Sequence, residues 1–270
     1  MNFPAYVPVA VRAHIEKLID GDGHGFKGWA AAAQKPGNEW IASVVAFLRR
    51  FQKKDERIKA MFQHLDEAGL SESSQKDFVN VAWLALTDYS KYRDMLDDAD
   101  KQRKAIAKRA KELAKLLRSI MTDNSLIGTP MEFYSVRTLL RETDGDDKVW
   151  PLMREKLLPV PGDPEANGLD YIWGIAPKVP DLLDTVAKVA DEYQPQFGGR
   201  IGAAIEKRER NSKTQFLRAF GHELAEARIE PNPEVINAMA YMATVALDNI
   251  DVTYGDVTQA LDLKGTGAAG

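Results

Sequence analysis

From residue 41 to residue 65 apolar side chains recur at alternating steps of three and four: Ile41, Val44, Leu48, Phe51, Ile58, Phe62 and Leu65, with Asp55 the one polar member. That period describes a helix carrying a seam for a neighbouring helix. Gly69 is placed to end it as a C′ residue, and Ser71 or Ser73 to cap the next helix. The following segment repeats the pattern twice over. Phe78, Ala85, Tyr92, Ala99, Ile106, Leu113 and Ile120 form one series; Ala82, Tyr89, Leu96, Ala110 and Leu117 form its companion, broken by Arg103. No Pro or Gly interrupts residues 73–122.

Two such stripes joined by a short Gly/Ser turn predict a long antiparallel, coiled-coil-like helical hairpin with arms 39–67 and 74–121. At 1.5 Å per residue the arms run to ~44 Å and ~72 Å. The second therefore overshoots the first beyond about residue 104. Arg103 is expected opposite Glu39, and the overhang is expected to lie under the 8–20 helix or the 135–158 segment.

The remaining signals are helical as well. Pro8 opens a helix whose face holds Val11, Ile15, Leu18 and Ile19, stopped by the glycines of residues 21–25. Residues 26–33 predict a short helix, and Asn38 an N-cap. Turn residues Gly128, Thr129 and Pro130 lead into short helices at 135–141 and 148–158. Residues 159–168 (PVPGDPEANG) read as a Pro/Gly linker. Beyond it, helices are expected at 180–193, at 200–226 with a kink near Asn211, at 233–248 and at 254–263. Thr253 and Asp256 spell a capping box for the last. Residues 264–270 read as a frayed tail. The expected architecture is all-α: a hairpin unit over 1–158, a linker, and a smaller helical bundle over 169–263. No stretch alternates with the period of a strand.

Composition narrows the function. The 270 residues are 44 % hydrophobic and 28 % charged, ordinary for a globular chain. A net charge of −4 gives no global attraction to nucleic acid or to an anionic membrane. The absence of cysteine removes disulfides, thiolate nucleophiles and Cys-based metal sites. Arg12, His14, Glu16 and Lys17 interrupt the first apolar stretch, against a secretory signal, and no apolar run approaches the ~18–20 residues of a membrane span. The expected setting is cytoplasmic, without a membrane partner.

Several motif fragments fail on chemistry. Residues 20–25 (DGDGHG) open like a calcium loop, but position five is His24 and position twelve, where a bidentate Glu belongs, is Ala31. His222 and Glu226 stand one turn apart, yet a zinc-protease helix needs a second His there. Ser73 to Lys76 spells S-x-x-K without the further motifs of the acyl enzymes. The glycines at 198, 199 and 202 follow no strand, so they make no dinucleotide fingerprint. No catalytic group, metal or cofactor is therefore expected.

One charge pattern stands out. Lys101, Arg103, Lys104, Lys108, Arg109, Lys111, Lys115 and Arg118 face a single acid, Glu112, whereas Asp88, Asp94, Asp97, Asp98 and Asp100 precede them. The functional reading is a nucleic-acid or anion-binding face; the bland one is a solvated coiled-coil flank. Arg200, Lys207, Arg208, Arg210 and Lys213 form a second, more diluted cluster. The basic hairpin and the closing stretch NIDVTYGDVTQAL (249–261) resemble uncharacterised helical bacterial proteins carried on prophages or mobile elements, a resemblance of texture that implies no activity and no site. Together these features predict a non-enzymatic interaction or scaffold protein that docks a protein partner or forms a homo-oligomer. A nucleic-acid-associated protein is the alternative, and an enzyme with a dispersed site the last.

Overall fold

A computed structural model describes residues 2–21, 27–122, 135–143, 157–158, 172–173, 175–206, 211–248 and 250–263. The turn expected at 128–130, all but residues 157 and 158 of the helix expected at 148–158, the linker 159–168 and the tail 264–270 lie outside these residues. The fold is all-α, and no strand occurs among the described residues. None of their helices is long and apolar enough to cross a membrane. The chain divides into two compact units: Met1–Met95 together with Gln196–Gly270, and Leu96–Pro195.

In the first unit, α1 (Val9–Asp20), α2 (Glu39–Arg50), α3 (Glu56–Glu67) and α4 (Glu72–Ala85) precede the start of α5 (Ser90–Thr122). The two expected rods are each broken. The first stops at Phe51 and resumes at Glu56, with Asp55 in extended conformation as N-cap and its carboxylate accepting the Arg57 N–H at 2.9 Å. The polar member of the seam is thus a cap. Tyr6 fastens the break: its hydroxyl accepts the Asp55 N–H at 2.9 Å and stands 3.2 Å from the Asp55 carbonyl. The second rod breaks over residues 86–89, where the Asp88 carboxylate accepts both the N–H (3.0 Å) and the hydroxyl (2.6 Å) of Ser90. Each break is made by an Asp that offers the next helix's free N–H groups an acceptor.

The turn between α3 and α4 forms as expected. Gly69 has φ +73°, Leu70 N–H donates to Leu65 and Gly69 N–H to Asp66, the paired bonds of a Schellman motif. Ser71, not Ser73, caps α4. The helices on either side of this turn take other neighbours. α3 packs chiefly on α10 (Pro233–Ala246), and α4 on α1 and α9 (Ser212–Glu226). α10 is the centre of the unit: ten of its residues are buried, among them Val235, Ile236, Met239 and Met242 at 0 % exposure. A helix apolar on every side needs cover on every side. α2, α3, α4, α9 and α11 (Tyr254–Ala260) supply it. Phe78 of α4 meets Phe220 of α9 edge-on at 5.1 Å.

The expected 200–226 helix is two helices, α8 (Gly199–Ile205) and α9, with Asn211 capping the second through the Lys213 N–H. Asn38 occupies the N-cap position of α2, but its side chain bonds the Ala32 carbonyl instead of the helix. The short helix expected over 26–33 appears as a 3-10 turn at Ala32–Gln34. Thr253 and Asp256 form the anticipated capping box.

The second unit holds most of α5, then α6 (Val136–Glu142) and α7 (Val179–Glu192). Arg103 donates to the carbonyls of Ala190 (3.2 Å) and Asp191 (3.0 Å), Lys111 to Asp191 (2.6 Å), and Arg118 to Asp181 (2.9 Å). Rising numbers on α5 meet falling numbers on α7, so the two helices run antiparallel. The overhanging part of α5 therefore lies along α7, while the 8–20 helix packs on α4 within its own unit. Arg103 gives its guanidinium to Asp100 and to α7 in place of the expected Glu39.

Candidate interaction surface

Most of the eight predicted cations are neutralised within the second unit. Lys101 pairs with Asp98 at 2.9 Å, Arg103 with Asp100 at 2.6 Å and Lys104 with Asp100 at 2.5 Å. Lys108 approaches Glu112 at 3.9 Å, Lys111 meets Asp191, and Arg118 joins Asp181 and Asp184. The Lys104 and Arg103 bonds hold the Asp100 carboxyl below its ordinary range. Arg109 and Lys115 have no carboxylate in ion-pair range among the described residues. Asp98 and Asp100 belong to the acidic run upstream, so the charge step along α5 partly closes on itself through i,i+3 and i,i+4 pairs. In the second cluster, Arg200 stands 3.9 Å from Glu223 and Lys213 pairs with Asp256 at 2.7 Å; residues 207–210 lie outside the described set. That bond pulls the Asp256 carboxyl down to about 2.

The second unit has another face. Ala107, Ala110 and Ala114 of α5 and Ala187 of α7 are buried. At 100° per residue the three alanines share the side of α5 from which Arg103 reaches α7. Lys104, Lys111 and Arg118 lie to one flank of that row. Ile106, Leu113, Leu116 and Ile120 occupy a single arc on the other flank, and they are 52, 47, 60 and 38 % exposed. On α7, Asp184 and Asp191 flank Ala187 on one side; Leu182, Val186 and Val189 lie away from them and, with Tyr193 at the C-cap just beyond the helix, are likewise exposed. In an antiparallel pair the flank that carries the ion pairs is common to both helices, so the two apolar arcs also share a side. The result is one apolar surface across α5 and α7, with about 700 Å² exposed on these eight side chains. Arg109 is the one charged residue within the α5 arc.

The first unit carries an open cleft of about 760 Å³ at the α4–α5 break, with Glu39, Trp40, Asp88, Lys91, Tyr92 and Arg200 on its walls. Trp40 belongs to a cluster with Trp29 and Trp83, whose ring centroids lie 5.0–6.3 Å apart. Two acids and two cations leave the cleft without a net charge that would select an ionic ligand. Nearby Tyr89 is pushed up to about 12 by burial and bonds the Ala85 carbonyl, so its hydroxyl keeps its proton at neutral pH. The cleft has no signature in the sequence, because its walls depend on the break at residues 86–89.

Comparison with protein-family models, with curated proteins and with solved structures finds no match.

Proposed function

We propose that the chain is a non-enzymatic helical interaction protein of the cytoplasm, and that its α5–α7 apolar surface docks a second copy of itself. The observation that carries this reading is the exposure of eight large apolar side chains on one side of two antiparallel helices. A solvated helix pair keeps one apolar face, toward its own core; a second apolar face on the same pair asks for a further partner. About 700 Å² per chain sets a ceiling of about 1,400 Å² for a symmetric pair, a size that reaches the range of stable interfaces. Two such layers meeting face to face make a four-helix arrangement, the usual way in which helices with two apolar arcs bury both.

Sedimentation equilibrium between 5 and 100 µM tests this (concentrations on the order of ordinary dimer constants). The parent chain is expected to approach twice the monomer mass, and the doubly substituted Leu113→Glu, Val186→Glu chain to remain monomeric with unchanged helicity. A parent chain that stays monomeric throughout ends the reading.

The nucleic-acid alternative has less behind it. A cation already paired with a carboxylate releases few counterions on meeting a phosphate, and of the eight cations at 101–118 only Arg109 and Lys115 stand outside such pairs among the described residues.

A further inference from the structure

His64 and Glu67 lie one turn apart on α3, and Glu234 stands in the first turn of α10. The His64 ring is stacked on Tyr241 of α10, centroids 5.7 Å apart and planes 18° from parallel, which holds the plane of the ring. Nδ1 points at both carboxylates: 2.6 Å to Glu234 Oε2 and 3.4 Å to Glu67 Oε2. One ligand atom from each of the three residues lies within 4.8 Å of the other two. From these contacts we infer that His64, Glu67 and Glu234 form a binding site for a divalent transition-metal ion, with zinc as the natural probe, that joins α3 to α10.

An ordinary His–carboxylate ion pair does not account for the arrangement. A ring nitrogen carries one hydrogen in the ring plane, so it serves one acceptor well, whereas two carboxylates converge here. Two negative charges face at most one positive ring, and among the described residues neither glutamate pairs with any Lys or Arg. A divalent cation would supply the missing charge. One nitrogen and two carboxylate oxygens suit zinc and its neighbours, with metal–ligand distances of about 2.0–2.2 Å and ligand atoms about 3.4 Å apart. The Glu67 separation already matches; Glu234 has to open by a little under 1 Å as the ion replaces the bridging proton. The glutamates are partly exposed, giving access and leaving the fourth position to water. The site lies within the first unit and is independent of the α5–α7 docking surface.

The test is isothermal titration of the full chain with zinc chloride in a non-chelating buffer, with thermal melting in parallel. One equivalent is expected to bind with micromolar affinity and to raise the melting temperature. Glu67→Gln, Glu234→Gln and His64→Gln should each weaken binding by roughly tenfold or more. Glu67 is the most exposed of the three side chains, so its variant keeps the fold and reports on the ligand set alone. No saturable heat with the parent, or equal affinity in the Glu67 and Glu234 variants, overturns the assignment. The remaining histidines (14, 24 and 222) would then account for any residual binding.

Discussion

Asp55→Leu separates the observed fold from the continuous rod that the heptad pattern suggests. In an unbroken 39–67 helix residue 55 sits in the apolar seam, and leucine there would bury a side chain worth about 1.5–3 kcal/mol. The observed chain uses Asp55 to cap α3 and to hold Arg57 through both carboxylate oxygens, at 3.0 and 2.7 Å. Losing the cap costs about 1 kcal/mol, within a range of about 0.5–2. The Arg57 pair adds little, about 0.5 kcal/mol, because Arg57 is half-exposed. The net expectation is a loss of about 1–2 kcal/mol, opposite in sign to the seam. Urea unfolding followed by far-UV circular dichroism reads it as a lower midpoint at unchanged slope. Asp55→Asn, which keeps a capping oxygen, should recover most of the loss. A leucine variant as stable as the parent, or more so, would refute the break and restore the rod.

The Asp256 carboxyl lies near 2 when folded because Lys213 and the Thr253 N–H hold its charged form, against 3.8 for the free group. A depressed folded value contributes stability above the unfolded value, lost as pH falls from about 4 toward 2; melting temperature against pH should therefore drop less steeply in Asp256→Asn than in the parent, by an effect on the order of 1–2 kcal/mol. Met239→Ala, at the fully buried centre of α10, should cost about 2–5 kcal/mol by denaturant titration. Fluorescence polarisation with a random-sequence duplex at low salt should show at most weak binding, and reversing Arg109 and Lys115 to Glu should abolish whatever is present; tight binding indifferent to that reversal would contradict the charge pairing of α5.

The helical class, the helix end at Gly69, a serine cap on α4 (Ser71 or Ser73) and the capping box at Thr253 were legible in the sequence. Each depends on a few neighbouring residues. What local reading loses is the partner. The alternating three- and four-residue steps at 41–65 and 78–120 say that those helices bury a stripe, but not against whom. α3 turns to α10, with His64 and Glu234 170 residues apart, and α5 to α7, with Lys111 and Asp191 80 residues apart and the Pro-rich stretch between them. The broken rods had a signal in Asp55 and Asp88, whose capping role the heptad count concealed. The basic run at 101–118 was visible as eight cations, but the acids that pair with Lys111 and Arg118 are on α7. Likewise His64 and Glu67 are three residues apart, whereas Glu234 joins them only through the packing of α3 on α10.

Hydrogen exchange at high and low protein concentration tests the docking surface most directly. If α5 and α7 bury their shared apolar side in a second copy, raising the concentration should slow exchange in peptides covering residues 106–120 and 182–193 and leave α10 and α3 unchanged. Identical exchange of those two segments at both concentrations, or protection confined to the first unit, would contradict it.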